Sequence, residues 1–275
     1  MSVLDIGAGT GFLSFLASKF GARECTLVEQ GEVIRLARKL AEENHITNCR
    51  FIQKHSSELK DRALFDLVIS ETLGNFATEE HIIENMEDGK KFLKPGGTLL
   101  PESITQYVAP VISDRVWKEV NIWDTIGLGL GLGFGSMKKI ALQNMYVQSI
   151  RENEILMNGI REWDRTNLYE KNSSVRKGTA EWSIAEPVTI FGFACFWDCQ
   201  LAEGIHLSTS PLDPETHWEQ IYLPLLEPLH LNPSQTLKVV LTSDTRRAVG
   251  VNVTWETEVC NGGKRIAHST MKLTA

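Results

Sequence analysis

The sequence is poor in cysteine and has no apolar run approaching the roughly 20 residues of a membrane-spanning helix. Its five cysteines among 275 residues lack paired spacing, which argues against a disulfide framework. Cys195 and Cys199 lie close together in an aromatic run without a cluster of histidines or further cysteines, so we interpret them as buried or half-buried thiols rather than zinc ligands. The chain does not open with a basic segment followed by an apolar one, so export is not expected. We therefore predict a cytoplasmic protein with no membrane partner.

Basic residues are not in excess either. The chain carries 28 lysines and arginines against 35 aspartates and glutamates, a net charge of -7. Phosphate binding requires clustered lysine and arginine, so nucleic acid is not the expected partner. An acidic surface can attract a cationic partner, although the same charge is also ordinary for a soluble protein.

The first hundred residues alternate between strand-like and helix-like segments. Short apolar runs typical of buried strands occupy residues 2–6, 25–28, 49–53, 65–69 and 98–100. Helical spacing of apolar residues is found at 12–20, 33–41 and 81–92, and residues 93–97 have the composition of a turn. This alternation predicts a parallel sheet with right-handed crossovers.

After Pro101 the pattern becomes one of short strands separated by turn residues, which predicts an antiparallel β domain. We place one domain at residues 1–102 and the second at 103–275, packed together because no flexible linker separates them. The glycine-rich segment 127–135 is either a loop or part of an arm that docks a second subunit. Residues 151–177 are charged, and we assign no structure to them.

A glycine-rich turn follows the first predicted strand, with Gly7, Gly9 and Gly11 in alternate positions. Position 12 is Phe, so the turn is not the G-x-G-x-x-G dinucleotide fingerprint. The glycines still allow a ligand to approach the backbone, and the following helix offers free N–H groups to an anionic group. Glu29 ends the second strand, where an acid can accept both ribose hydroxyls of an adenosine. The alternative is a tight strand-to-helix connection without a ligand.

Two acids, Glu71 and Glu80, follow the strand at 65–69, and Gly74 lies between them. Open α/β sheets bind their ligands at the carboxyl ends of strands, so this segment is a candidate site. Alternatively, Thr78 caps a helix and Glu80 is a first-turn acid favoured by the helix dipole. His217 and Trp218 also have a structural alternative to a role in the site, since they can be a surface histidine next to a packed aromatic.

Residues 3–11, Glu29 and the segment 65–71 together resemble the class I S-adenosylmethionine-dependent methyltransferases. The resemblance implies a Rossmann-like domain with S-adenosyl-L-methionine as its cofactor. The residues that would line the methionine end of the cofactor are Asp5, Gly7, Gly9, Thr10 and Gly11. Glu29 would hold the ribose, and Ser57 and Glu58 would lie near the adenine, although Glu58 is as readily interpreted as a solvated loop acid.

Further segments resemble the protein arginine methyltransferase family. The loop 70–80 is similar to its double-glutamate loop, residues 93–101 to its passage into a β-barrel, and 208–211 with Thr216-His217-Trp218 to its Thr-His-Trp region. The resemblance implies an antiparallel β-barrel after the parallel sheet, arginine methylation of a protein or peptide substrate, and catalytic roles for Glu71, Glu80, His217 and Trp218. It also allows a homodimer.

The chemistry of the guanidinium group explains why such a site needs two acids. A guanidinium is protonated and planar, with its N–H donors in a fixed fork that two carboxylates can bind from different sides. Such a grip localises positive charge away from one nitrogen and aligns that nitrogen with a sulfonium methyl. Positioning of this kind can contribute up to roughly 7–11 kcal/mol of the barrier, so no strong base is required.

Three departures from the family leave the identity of the methyl acceptor undecided. Thr72-Leu73-Gly74-Asn75 stands where the family usually has Trp-Met-Gly-Tyr. The chain starts at the first strand, so we expect either a truncated chain or a cofactor that is covered differently. Residues 121–150 do not clearly reproduce the family's helical dimerisation arm. The alternatives are therefore a methyltransferase of a small amine or another side chain, and a catalytically silent binding or scaffold protein.

Overall fold

The computed structural model describes residues 1–60 and 64–273. Its first part is a five-stranded parallel sheet in the order β3-β2-β1-β4-β5. The strands are β1 (Ser2–Ile6), β2 (Glu24–Glu29), β3 (Cys49–Gln53), β4 (Phe65–Ile69) and β5 (Leu93–Leu100), with helices α1 (Phe12–Lys19), α2 (Val33–Glu43) and α3 (Ile82–Gly89) between them. The chain winds outward in both directions from β1, so the loops after β1 and β4 meet at one crevice.

This first part confirms the predicted parallel sheet but differs from the prediction around β5. Residues 93–97, which we predicted to be a turn, are the first residues of that strand. Pro95 is tolerated because β5 lies at the edge of the sheet, where a missing N–H breaks no ladder on the outer side. The helix predicted at 81–92 is shorter, since α3 ends at Gly89 and a single 3-10 turn, Lys90–Phe92, follows it.

The second part is antiparallel, as predicted. One sheet has the order β7-β12-β10-β6-β8 with β11 paired to β10, and the other has the order β15-β14-β13-β9. The strands are β6 (Ser103–Val111), β7 (Tyr146–Gln148), β8 (Arg161–Asn167), β9 (Val175–Ser183), β10 (Val188–Ala202), β11 (Ile205–Ser208), β12 (Gln220–Leu231), β13 (Gln235–Asp244), β14 (Asn252–Asn261) and β15 (Lys264–Lys272). Within the described residues these pairings close no ring, so a closed barrel is not confirmed.

The two antiparallel sheets enclose a common apolar core. Trp182, Phe193 and Trp255 are buried in it together with aliphatic side chains from both sheets. Along β13 and β14 buried and partly exposed residues alternate, which is the pattern of strands with one face in the core. Residues 151–177, which we left unassigned, contain β8 and the start of β9.

A third feature is the helical segment between β6 and β7, with α4 (Asp114–Val120) and α5 (Gly135–Leu142). The glycine-rich residues between these helices form a loop with one 3-10 turn, Leu128–Leu130, as the first of our two alternatives proposed. Among the described residues, no helix is long and apolar enough to cross a membrane.

The parallel and antiparallel parts share buried contacts. Ile6, Val68 and Leu99 from the parallel sheet lie in the same apolar cluster as Ile104 and Trp197 from the antiparallel part. The parallel sheet ends at Leu100 and β6 begins at Ser103, and Arg247 of the second part lines the crevice above β1 and β4. The division into domains at 1–102 and 103–275 stays a prediction.

Candidate active site

The glycine turn joins β1 to α1 in a left-handed conformation that favours glycine. The N–H groups of Gly7 and Ala8 both donate to the carbonyl oxygen of Val28, at 2.9 and 3.2 Å. Gly7 has a φ of 73°, and a Cβ there would lie 2.7 Å from Cγ2 of Thr72. Glycine at position 7 is thus required twice, by the backbone conformation and by the close approach of the loop after β4.

Glu29 is bound to the glycine turn. Its Oε2 accepts a hydrogen bond from the N–H of Gly9 at 3.1 Å, and its Oε1 accepts one from Gly31 at 2.7 Å. The carboxylate is therefore fixed at the carboxyl end of β2, beside the turn that would receive an anionic or polar ligand. This combination of an acid and a glycine cradle fits the ribose and the adjoining part of an adenosine cofactor.

Asp5 lies beneath the turn, 2% exposed. Its Oδ2 accepts a hydrogen bond from the Ser14 hydroxyl of α1 at 2.7 Å. Burial raises the pKa of Asp5 to about 6, the hydrogen bond from Ser14 opposes this rise, and the negative charges of Glu29 and Glu71 add to it. Asp5 thus connects β1 to α1 by a hydrogen bond and lies beneath the glycine turn.

A cavity of about 260 Å³ opens at the crevice above β1 and β4. Four of the predicted site residues line it, namely Gly7, Glu29, Glu71 and Glu80. The cavity is also lined by polar and charged side chains, which include those of Lys54, His55, Ser56, Thr72, His81, Asn85 and Arg247. A larger cavity of about 690 Å³ lies in the antiparallel part, where it is bordered mainly by aliphatic residues such as Ile112 and Leu156.

The remaining predicted cofactor residues, namely Asp5, Gly9, Thr10, Gly11, Ser57 and Glu58, do not line the 260 Å³ cavity. Thr10 borders a separate apolar hollow between α1 and α2. Ser57 and Glu58 belong to a 3-10 turn, Ser56–Glu58, that directly follows β3. Ser56, which we did not predict, is the member of that turn lining the cavity, and its hydroxyl donates to Oδ2 of Asp88 at 2.7 Å.

The loop that carries the two acids is attached to the antiparallel part by three hydrogen bonds. The indole N–H of Trp218 donates to the carbonyl oxygen of Leu73 at 2.6 Å, and that of Trp197 donates to Gly74 at 3.1 Å. In return, Nδ2 of Asn75 donates to the carbonyl oxygen of Trp218 at 2.5 Å. Asn75, one of the departures from the family, therefore fastens the loop to the Thr-His-Trp segment.

Thr72, which stands where the family usually has Trp, belongs to a second set of polar contacts. Its Oγ1 accepts a hydrogen bond from Nδ2 of Asn85 on α3 at 3.0 Å. Oδ1 of Asn85 in turn accepts one from Nη2 of Arg247 at 2.5 Å, and Nη1 of Arg247 lies 3.7 Å from Oδ2 of Asp88. The turn between β13 and β14 thereby reaches the cavity wall and, through Asn85, the side chain of Thr72 next to Glu71.

Glu80 is not a first-turn acid of a helix capped by Thr78, so that alternative is wrong. α3 begins at Ile82 after His81, whose φ is 67°, and Glu80 lies in the loop before it. Within the described part of the chain, the buried Oγ1 of Thr78 has no hydrogen-bond partner. The helix is delayed because Gly74 pairs with Ala77 in a tight turn that holds this stretch in another conformation.

Glu71 acts electrostatically on Glu80. The pKa of Glu80 is raised, first by burial and then by the negative charges of Glu71 and Glu79, while His81 and His217 oppose the rise. A carboxylate whose proton affinity is raised by burial and by neighbouring negative charge is part of a site that a cation stabilises. A guanidinium can satisfy both acids, because its N–H donors point in several directions of one plane.

His217 and Trp218 lie behind the acid loop. Their rings are 3.8 Å apart between centroids, and Trp218 meets Trp197 edge-on at 5.3 Å. Trp218 thus packs against Trp197 and holds the loop through its indole hydrogen bond to Leu73. His217 is exposed and lies near enough to Glu80 to oppose the rise in its pKa, and the catalytic roles of His217 and Trp218 stay predictions.

Cys195 and Cys199 are buried thiols in β10, as we interpreted them. Burial raises the pKa of Cys195 well above its usual range and that of Cys199 to about 12, so both remain protonated. No group of three or more potential metal ligands occurs among residues 1–60 and 64–273.

Sequence reasoning missed Lys54, His55, Asn85 and Arg247. The first two directly follow β3, so the rule that ligands bind at the carboxyl ends of parallel strands could have identified them. Arg247 comes from a turn of the antiparallel part and reaches a residue 162 positions away in sequence. No pattern in the sequence indicates that contact.

Two family models match this chain. One describes a methyltransferase domain and matches residues 1–154, and the other describes the PRMT5 oligomerisation domain and matches residues 103–265. Among curated relatives, the histone-arginine methyltransferase CARMER of Anopheles gambiae is 30% identical over 270 residues, covering 91% of this chain and 43% of that protein. The same-named protein of Culex quinquefasciatus is 30% identical over 268 residues, with 91% and 44% covered. The chain thus spans less than half the length of these relatives.

Solved structures share the fold at lower identity. The Trypanosoma brucei PRMT1 enzyme-prozyme heterotetrameric complex with AdoHcy superimposes with a TM-score of 0.85 at 21% identity, covering 99% of this chain and 89% of the other. Arabidopsis thaliana protein arginine methyltransferase 10, described in an open conformation, gives a TM-score of 0.82 at 20% identity, with 99% and 89% covered.

Proposed function

This chain belongs to the protein arginine methyltransferase family, and we propose that it transfers a methyl group from S-adenosylmethionine to a guanidinium nitrogen of arginine in a protein substrate. The observation that carries the proposal is that Glu71 and Glu80 line the same cavity as Gly7 and Glu29. An acceptor site for a cation and a binding site for an adenosine are thus adjacent, as a direct transfer between two bound molecules requires.

The chain's own residues fit the cofactor. The glycine turn offers backbone that a ligand can approach closely, and Glu29, already fixed by the N–H groups of Gly9 and Gly31, can accept the two ribose hydroxyls. Lys54, His55 and Ser56, which line the cavity after β3, are placed to contact the base. When bound, the cofactor would supply a methyl group on a positively charged sulfur.

Glu71 and Glu80 then act on the acceptor. Their carboxylates accept N–H hydrogen bonds from the guanidinium and draw its positive charge toward the nitrogens they contact. The remaining nitrogen keeps a lone pair that is freer to attack, and its position is fixed. The acids need no rearrangement to do this, because Trp197, Trp218 and Asn75 already fasten their loop.

The same site accounts for the partners we propose. A net charge of -7 and two acids in the acceptor cavity favour a cationic protein or peptide. The match of residues 103–265 to an oligomerisation domain supports a homodimer. We also propose that the reaction takes place in the cytoplasm, a compartment that five free cysteines without paired spacing fit.

The test is methyl transfer from labelled S-adenosylmethionine to arginine-rich peptides. Glu71→Gln and Glu80→Gln keep the size of each side chain but remove its charge, and we expect each to lower the rate by roughly 100-fold or more, the usual cost of removing a preorganised electrostatic contact. Glu43→Gln, on the exposed face of α2, is the matched control and should keep full activity.

Binding of S-adenosylhomocysteine, measured by calorimetry, separates the alternatives. Methylation of arginine that survives both substitutions would contradict the roles of the two acids. Label that enters small amines but never protein would instead establish another acceptor. Absence of binding at millimolar ligand would establish a scaffold of the same fold.

A further inference from the structure

Two cysteines that the proposed function does not use lie side by side in the parallel sheet. Cys25 of β2 is the direct register partner of Cys49 of β3, and parallel pairing places both side chains on the same face. Neighbouring strands are about 4.7–4.9 Å apart. That spacing falls within the roughly 4.4–6.8 Å range of Cα separations found in disulfides, and the bond forms once the two Cβ atoms approach to about 3.5–4.5 Å.

The two thiols differ in access. Cys25 is fully buried, whereas Cys49 is partly exposed on β3, the edge strand of the sheet. Both line a cavity of about 260 Å³ that Asn48 and Phe65 also border. A small oxidant can therefore reach the sulfur of Cys49, and the buried Cys25 lies beside it on the neighbouring strand.

Their environments also give them different reactivity. Contact with the neighbouring Cys25 thiol stabilises the Cys49 thiolate and lowers the pKa of Cys49, and the same contact together with burial raises the pKa of Cys25. Since the thiolate is the form that reacts with peroxide, Cys49 is the first sulfur to be oxidised. Cys25 keeps its proton and is the partner that resolves the oxidised state.

We propose that Cys25 and Cys49 are a reversible thiol oxidation site that takes hydrogen peroxide as its substrate and yields a cross-strand disulfide. The Cys49 thiolate attacks one peroxide oxygen, the O–O bond breaks, hydroxide leaves, and Cys49 becomes a sulfenic acid. The sulfur of Cys25 then attacks that sulfur, and the hydroxyl departs with the proton of Cys25 as water. In balance, two thiols and one hydrogen peroxide give one disulfide and two waters.

The site lies at the amino ends of β2 and β3 and is linked to Asp5 through Ser14, although the inference does not rest on the proposed function. The sulfur of Cys25 donates to the carbonyl oxygen of Ser14 at 3.4 Å, and the Ser14 hydroxyl holds Asp5. Disulfide formation removes the proton that Cys25 donates. In a reducing compartment such bonds are usually transient, as a redox-responsive site requires.

The experiment is titration of free thiols in the full chain after brief treatment with hydrogen peroxide, followed by alkylation and peptide mapping. We expect the five free thiols to fall to three, with the Cys25 and Cys49 peptides joined, and all five to return after dithiothreitol. In Cys25→Ser, Cys49 should accumulate as a sulfenic acid that dimedone traps. In Cys49→Ser, Cys25 should stay reduced.

Cys260→Ser is the matched control, because Cys260 is also partly exposed but pairs with Thr236 and Arg265 rather than with a cysteine. This variant should still lose two thiols. The proposal is overturned if wild-type Cys49 ends as a sulfenic or sulfonic acid without joining Cys25. It is also overturned if joined peptides contain Cys260, or if Cys25 and Cys49 both remain reduced while Cys260 is oxidised.

Discussion

The buried carboxyl group of Asp5 predicts an unusual dependence of stability on pH. Its pKa is about 6 in the folded protein and 3.8 in an ordinary environment, because burial disfavours the ionised form. Below about pH 3.8 the group is protonated in both states and does not affect folding. Between these values only the unfolded chain is ionised, so the free energy of unfolding falls as the pH rises.

The size of this fall follows from the two pKa values. Each factor of ten in proton affinity corresponds to about 1.4 kcal/mol, so the interval from 3.8 to about 6 costs the folded state about 3 kcal/mol above pH 6. Asp5→Asn removes the charge and keeps an oxygen that can accept the hydrogen bond from Ser14. We therefore expect the variant to match the wild type near pH 4 and to exceed it by up to about 3 kcal/mol near pH 8.

Urea unfolding without ligand, followed by circular dichroism from about pH 4 to about pH 8, measures this difference. Asp213→Asn replaces an exposed acid in the loop after β11 and should leave the stability unchanged at every pH. An Asp5→Asn variant whose advantage does not grow with pH would refute the reasoning. If that variant binds S-adenosylhomocysteine as tightly as the wild type, Asp5 has no part in holding the cofactor.

Three further predictions concern the crevice. Trp218→Phe leaves the carbonyl oxygen of Leu73 without its donor and should lower the free energy of unfolding by about 1–3 kcal/mol in urea. Gly7→Ala should abolish binding of S-adenosylhomocysteine in calorimetry, and adding Thr72→Ser, which removes the clashing methyl group, should restore only part of it because the φ of 73° remains. The raised pKa of Glu80 predicts that the KM for an arginine peptide rises as the pH falls, beginning above the range of an ordinary glutamate, whereas a flat profile would contradict its role.

The parallel sheet was predictable because its signals are local. Each apolar run, the glycine turn Gly7 to Gly11 and the strand end at Glu29 can be recognised from a few neighbouring residues, and the structure has β1, α1 and β2 at those positions. The turn predicted at 93–97 was wrong because composition alone does not reveal that β5 is an edge strand that tolerates Pro95.

The candidate site was only partly predictable. Glu71 and Glu80 follow one strand, so their meeting at the crevice could be expected, and both line the cavity. Thr78 has the residue type of a helix cap, but the pairing of Gly74 with Ala77 competes with an earlier start of the helix. Arg247 reaches the cavity through a tertiary contact, which leaves no trace in local spacing.

The three hydrogen bonds of the acid loop have a consequence for exchanging segments between relatives. Asn75 contacts the backbone of Trp218, 143 positions away, and Trp218 contacts the backbone of Leu73. A chimera that receives the loop from one relative and the Thr-His-Trp segment from another would therefore lack matched partners for these reciprocal hydrogen bonds. Substitutions in the two segments should be inherited together, and a functional transplant must carry both.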